Sequence, residues 1–265
     1  SHEIRTPLSG IMGLLSLIKK TNLNEKQKKY LSAIDTSSKT LLTVINDILD
    51  LSKIEEGEIT LIKSSFNLKT TIDQIYDLFS GKCISKNLTF TSDFKSPLPS
   101  NSEGDQARIN QIIYNLVSNA IKFTQKGFVK LSSDFTYTDE QKGIFHLSIE
   151  DSGIGIPSNK TEEIFSPFKQ VEDYEKRKFE GTGLGLAISK KMISLMGGEI
   201  TVNSTEGQGS VFKLSIPLEY SIKEAVVTKQ NAPVTNLKNI HILMAEDNPI
   251  NQLMAKEMLT QEGAI

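Results

Sequence analysis

The 265-residue chain has a single cysteine, Cys83, and only three histidines. One cysteine excludes an internal disulfide and suits a reducing compartment. Cys83 itself reads as a small buried hydrophobe on a helix. Neither sign of charge dominates, since 30 basic residues stand against 32 acidic ones for a net −2. No basic excess therefore points to nucleic acid, and no block of like charge forms a tail. Long hydrophobic runs are missing as well. The longest apolar stretches, such as Ile11 to Ile18, are too short to span a bilayer and are interrupted by Gly and Ser, and no signal peptide opens the chain. What remains, 38% apolar and 23% charged, is the composition of a soluble globular protein with room for one large domain or two to three small ones.

Hydrophobic periodicity organises the front of the chain. Ile4, Leu8, Ile11, Leu15 and Ile18 step by four and three, the seam of a coiled coil or bundle. Thr21 to Asn24 interrupt the rhythm, and Ile34, Leu41, Val44 or Ile45, Ile48 and Leu51 resume it. Two helices cannot bury such stripes alone, so residues 1–56 are expected to form an antiparallel hairpin that pairs with a second copy as a four-helix bundle. Over 57–220 the signals mix. Glu58 to Ile62 reads as a strand, and Asn67 as the cap of a helix carrying Leu68, Ile72, Ile75 and Phe79. Leu88 to Phe94 reads as a strand, and Asp105 caps a helix. Phe128–Thr138 and Ile144–Glu150 are neighbouring strands, and a helix over Leu184–Met196 ends at Gly197-Gly198. Glu199–Asn203 and Ser210–Leu218 form a last strand pair. The fold class expected is α+β: the helical hairpin, then an α/β sandwich with a mixed sheet covered by helices on one face. Residues 221–237 lose periodicity and read as a linker. Residues 238–265 supply a buried-strand run, Ile240 to Ala245, then Glu246-Asp247-Asn248 and a helical stretch, too little for a core of its own.

Three short segments carry chemistry. Asn115 and Asn119 share one helix face, where amide oxygens can ligate a hard cation, and Lys122 one turn on can reach a phosphate as a point charge. Asp151, followed by Gly153 and Gly155, can end a strand and set a carboxylate against an exocyclic amine. Gly181, Gly183 and Gly185 precede a helix, where backbone N–H groups can approach phosphates. Ahead of them stands a candidate phosphate acceptor, His2, with Glu3 beside it. His146 alternates with Phe145 and Leu147 and reads as structural.

In this order the segments resemble the catalytic core of a hybrid sensor histidine kinase. Ser1-His2-Glu3-Ile-Arg-Thr-Pro-Leu is similar to that family's phosphoacceptor box, Asn110 to Thr124 to its N box, Asp151 to Pro157 to its G1 box, Phe165 to Phe168 to its F box, and Gly181 to Gly185 to its G2 box. The resemblance implies a dimerisation hairpin and a GHKL-type domain that binds ATP with Mg²⁺. It implies His2 as nucleophile, Glu3 as proton acceptor and Thr6 as the polar residue that positions water for dephosphorylation. Asn115, Asn119, Lys122, Asp151, Gly153, Gly155, Phe168, Arg177, Gly181, Thr182, Gly183, Leu184, Gly185 and Ser210 would surround the nucleotide, with Asn119 on the metal. Ser210 stands where the family often has Thr, and the hydroxyl survives. Glu246-Asp247 resembles the start of a receiver domain, where two carboxylates would hold a second Mg²⁺. The phosphoryl group would pass from His2 to a receiver Asp, the chain's own or that of a response regulator. Because the chain opens on a motif without an initiator Met, it reads as a piece of a longer protein, the cytoplasmic portion of a sensor whose membrane anchor lies elsewhere. Two rivals stand beside this reading: a GHKL ATPase that drives a dimer clamp, and a nucleotide-sensing module that is not a kinase.

Overall fold

The computed structural model describes residues 2–169, 182–221, 237, 240–247 and 249–263, the side chains of 2–5, 249, 250, 254 and 261 excepted. The chain divides into two compact units, one of Ser1–Leu49 with Val227–Ile265, the other Asp50–Val226, so that the boundary falls within the second helix.

The first unit is built on α1 (His2–Lys19) and most of α2 (Glu25–Glu55). The break between them is set by a reciprocal cap. Asn24 Oδ1 accepts from the Gln27 N–H at 2.9 Å, and the Asn24 N–H donates to Gln27 Oε1 at 2.9 Å, which satisfies two backbone donors at the head of α2. Lys19 Nζ donates to Asp35 Oδ2 across the hairpin at 2.6 Å. Leu8, Leu15 and Leu31 are buried, whereas Ile11, Ile18, Ile34, Leu41 and Ile48 stay exposed. The stripe read from the sequence therefore splits, with Leu8 and Leu15 buried and the latter residues on the surface. In the second stretch of this unit α6 spans Pro249–Gln261. The strand expected over Ile240–Ala245 does not form; those residues lack strand pairing, and Leu243 is 100% exposed. A buried strand needs a neighbouring ladder for its N–H and C=O groups, and no described strand of this unit offers one.

The second unit is an α/β sandwich. Its elements are β1 (Ser64–Phe66), α3 (Leu68–Ser85), β2 (Leu88–Phe94), β3 (Ser102–Gly104), α4 (Gln106–Phe123), β4 (Gly127–Tyr137), β5 (Lys142–Asp151), α5 (Gly185–Leu195), β6 (Glu199–Thr205) and β7 (Gly209–Tyr220). The sheet runs β1-β3-β7-β5-β4-β2, with β6 also on β7; β2 and β4 pair in parallel and the other pairs are antiparallel. Alternation decides which face is covered. Val129, Leu131 and Phe135 of β4, Phe145, Leu147 and Ile149 of β5, and Phe212, Leu214, Ile216 and Leu218 of β7 are buried against α3, α4 and α5. The alternate residues are polar: Lys130, Ser132 and Asp134 on β4, His146, Ser148 and Glu150 on β5. His146 sits on that open face, its Nε2 3.2 Å from Thr136 Oγ1. Cys83 is 1% exposed within α3, and burial pushes its thiol pKa up.

Caps place the helices as the sequence suggests. Asn67 accepts from the Thr70 N–H at 2.8 Å and Asp105 from the Arg108 N–H at 3.0 Å. The strand expected at Glu58–Ile62 is displaced to Ser64–Phe66, the stretch that meets Ser102–Gly104. One reason lies in Asp105, whose Oδ2 accepts from the Ile62 N–H at 3.0 Å and so takes the donor that a ladder would use.

Candidate functional site

The end of β5 delivers Asp151. The residue is 6% exposed, and its Oδ1 accepts from the Gly153 N–H at 2.8 Å. Burial raises its pKa, opposed by the N–H groups of Gly153 and Ser210, which favour the charged form. Ser210, opposite Asp151 in the β5–β7 ladder, is 6% exposed, and its hydroxyl lies 2.9 Å from Ser204 Oγ. A cavity of about 500 Å³ opens here, lined by Asp151, Ser204, Gly209 and Ser210 together with Ser158 and Thr161. Its lining also includes Glu150, on the open face of the sheet, and neither Asn115, Asn119 nor Gly183, so it does not join the carboxylate to the amide pair.

The glycines after Asp151 are demanded by the protein itself. A Cβ on Gly153 would lie 2.5 Å from Phe123 O and 2.7 Å from Asp151 Oδ1. Gly155 has φ +66°, and a Cβ there would sit 2.0 Å from Thr205 O. These contacts brace the G1-like turn against α4 and the β6–β7 turn. Gly155→Ala is accordingly expected to cost about 3 kcal/mol or more of stability, through a left-handed conformation forced on Ala and a backbone clash. A denaturant midpoint would measure it, and an unchanged midpoint would refute the bracing role.

The other end is made by α4 and α5. Asn115 and Asn119 are both half-buried on one face of α4, and Asn119 Nδ2 donates to Asn115 Oδ1 at 3.4 Å. Asn115 Nδ2 donates to Ser189 Oγ on α5 at 2.9 Å. Gly185, the first residue of α5, lets that amide approach, since a Cβ there would be 2.4 Å from Asn115 Oδ1. Lys122 Nζ lies 4.7 Å from the centroid of the Phe123 ring. The donor set fits a hard cation held by one protein oxygen: Asn115 Oδ1 is engaged, whereas Asn119 Oδ1 has no partner among the described residues.

Before α5 the chain makes a neck. The Phe168 N–H donates to Gly183 O at 3.0 Å, and Gly183 has φ +70° with Phe168 C 3.0 Å from where a Cβ would be. The Leu184 N–H is held by Thr182 Oγ1 at 3.1 Å, and the Leu184 side chain is fully buried. The two phenylalanines of the F-like segment part company. Phe165 meets Phe212 edge-on at 6.5 Å and carries Lys190 over its ring at 5.0 Å, whereas Phe168 is 64% exposed with φ +62°. Phe165 is thus anchored by packing, while Phe168 is held through its backbone.

Arg177 and Gly181 lie outside the described residues, as do the side chains of His2 and Glu3 on α1. Thr6 is exposed on the same helix. In the first unit, Glu246 Oε1 accepts from Asn251 Nδ2 at 3.1 Å and Asp247 is exposed. The sequence reading missed Ser189, which four-residue spacing from Gly185 would have placed on the same helix face, and the cap Asn24-x-x-Gln27, which is a legible signature.

Residues 1–57 match the His Kinase A (phospho-acceptor) domain, and residues 104–220 match the histidine kinase-, DNA gyrase B-, and HSP90-like ATPase domain. The autoinducer 2 sensor kinase/phosphatase LuxQ of Vibrio vulnificus is 38% identical over 97% of this chain, which spans 30% of that protein. The aerobic respiration control sensor protein ArcB of Escherichia coli is 37% identical over 99% of this chain, which spans 33% of it. The chain thus covers about a third of the length of the curated relatives it matches. Among solved structures, full-length ShkA in complex with AMPPNP is 28% identical with a TM-score of 0.69, over 99% of this chain and 52% of that one. Among the described residues no helix is long and apolar enough to cross a membrane. A phospho-acceptor domain in front, an ATPase-type domain behind it and sensor kinases as relatives over nearly its whole length make this chain a member of the histidine kinases.

Proposed function

We propose that this chain is an ATP-dependent protein-histidine kinase that phosphorylates His2 and passes the phosphoryl group to an aspartate of a receiver domain. The observation that carries the reading is the joining of two features in the ATPase-type domain. A buried carboxylate, Asp151, stands at a strand end among glycine turns, and a pair of amides, Asn115 and Asn119, is packed on the first residue of the helix that follows the glycine run. Asp151 accepts from the exocyclic amine of adenine, which favours adenine over guanine. Lys122 and the backbone around Gly181 to Gly185 meet the phosphates, Arg177 adds positive charge beside them, and Phe168 borders the nucleotide. Asn119 would hold Mg²⁺, which would supply neutralisation of the phosphate charge.

At His2 a neutral ring nitrogen attacks the γ-phosphorus, the bond to the ADP oxygen breaks, and the proton on the other ring nitrogen passes to Glu3. The domains are taken as the hairpin 1–56, the ATP-binding domain 57–220, a linker 221–237 and the beginning of a receiver domain at 238–265, whose Glu246 and Asp247 would hold a second Mg²⁺. Exposed Ile11, Ile18, Ile34, Leu41 and Ile48 fit a second copy of the hairpin. The full protein is read as a membrane-anchored sensor, with this portion in the cytoplasm. Incubation with γ-labelled ATP and Mg²⁺ tests the proposal. Incorporated phosphate that is labile to acid and stable to base supports it, and no incorporation overturns it.

ShkA was solved with AMPPNP and LuxQ is a kinase/phosphatase, and by extension this chain removes phosphate from its partner as well. Thr6, one turn after His2 on α1, positions the water for that step. Thr6→Ala is expected to lower dephosphorylation of a phosphorylated receiver about tenfold more than it lowers autophosphorylation. Equal losses in the two assays would remove Thr6 from this role.

A further inference from the structure

We infer that Ser189 is a positioning residue: its hydroxyl orients the Asn115 amide so that Asn119 keeps its side-chain oxygen for the cation that accompanies ATP. The inference rests on the nucleotide reading above and adds a residue to it.

Ser189 lies on the inner side of α5 at 3% exposure, and its Oγ accepts from Asn115 Nδ2 at 2.9 Å. Gly185, four residues earlier, is on the same face of α5 and leaves room for the same amide, since a Cβ there would lie 2.4 Å from its oxygen. The amide is therefore held from both sides, with its NH₂ toward Ser189 and its oxygen toward Asn119 Nδ2, 3.4 Å away. An amide has distinct donor and acceptor ends, and turning one over turns its neighbour over with it. If Asn115 presented its NH₂ to Asn119, Asn119 would have to answer with its oxygen, and the metal-facing acceptor would be consumed inside the protein. In the arrangement observed Ser189 Oγ accepts, and its bond holds the amide where that oxygen stays available. Because α5 follows directly on the glycine run, the same bond ties the cation-binding helix to the end of the phosphate-facing segment.

Removing an outer hydrogen-bond partner of a metal ligand typically costs 10–100-fold in metal affinity, and Ser189 acts one bond further out, through Asn115, so the low end of that range is the effect expected. The probe is a fluorescent ATP analogue, titrated by equilibrium binding onto the 265-residue chain at a series of Mg²⁺ concentrations and in EDTA. Ser189→Ala is expected to raise the Mg²⁺ midpoint for analogue binding about tenfold while leaving affinity in EDTA unchanged. Ser189→Thr, which keeps the hydroxyl, restores the midpoint. In an Asn115→Ala background the further change Ser189→Ala has no effect, because the two act through one amide. Ser189→Cys, close in volume and a weak acceptor, replaces Ser189→Ala should the latter fail to fold, and the same rise is expected. A midpoint that does not move in a folded variant overturns the inference, and so does an equal loss in EDTA, which would mark Ser189 as packing only. Failure of the unaltered chain to bind the analogue at any Mg²⁺ concentration would instead bring down the nucleotide reading itself.

Discussion

Exchange of His2 for Gln should reduce phosphate incorporation by more than about a thousandfold, to background, with ATP binding retained. Gln is a good helix former of similar size, so α1 is not put at risk. What it lacks is a lone pair on a nitrogen able to attack phosphorus, and losing the nucleophile of a covalent step removes nearly all of the rate. The phosphate bond distinguishes the acceptor: a phosphoramidate is split by acid and survives base, whereas a serine or threonine ester behaves the opposite way. Label kept by the His2→Gln chain would reassign the acceptor. Label lost together with ATP binding would say that the substitution had damaged the fold.

Asp151→Asn is the second large effect, and its sign differs between binding and stability. For binding, the variant is expected to lose about 100-fold in ATP affinity, close to 2.7 kcal/mol, because a charged acceptor in a dry site is replaced by an amide whose NH₂ end faces donors. The preference for adenine over guanine nucleotide should shrink with it. For stability the direction reverses. Burial raises the Asp151 pKa above its unfolded value, so the folded chain holds this proton more tightly than the unfolded one. The cost of the buried charge is absent below the unfolded pKa and grows as pH rises through the folded one. Across that acidic window the melting temperature of the unaltered chain should fall relative to Asp151→Asn, while its ATP affinity climbs as the carboxylate forms. Parallel melting curves for the two chains at every pH would contradict the buried-charge account.

Much of this was legible in sequence because local rules and tertiary packing agree. Asn67 and Asp105 announced their helices as caps, and both accept the expected backbone N–H. Leu88–Phe94 forms a strand with the bounds its alternation predicted, and it joins β4 in parallel. Where reading failed, a long-range partner decided the outcome. Glu58–Ile62 has strand-like residues, yet Asp105 claims the Ile62 donor from 43 positions away. Ile240–Ala245 is apolar enough for a buried strand and has no described ladder to join. The α1–α2 stripe was visible as one seam, but its division into buried and exposed residues depends on helix rotation, which spacing alone does not fix. At the candidate site the motifs gave the residue types. They did not show that Gly153 and Gly155 are fixed by protein contacts, or that Asn115 donates to Ser189.

The burial of Cys83 has a practical use. A thiol that is 1% exposed and holds its proton more firmly than a solvated one reacts slowly with maleimides and nitroxide reagents. The natural sequence is thus close to a silent background for labelling, with no cysteine to remove first. A reporter thiol introduced at Asn22, in the exposed turn between the first two helices, would take up the spin label or dye alone and turn self-association into a measurable distance.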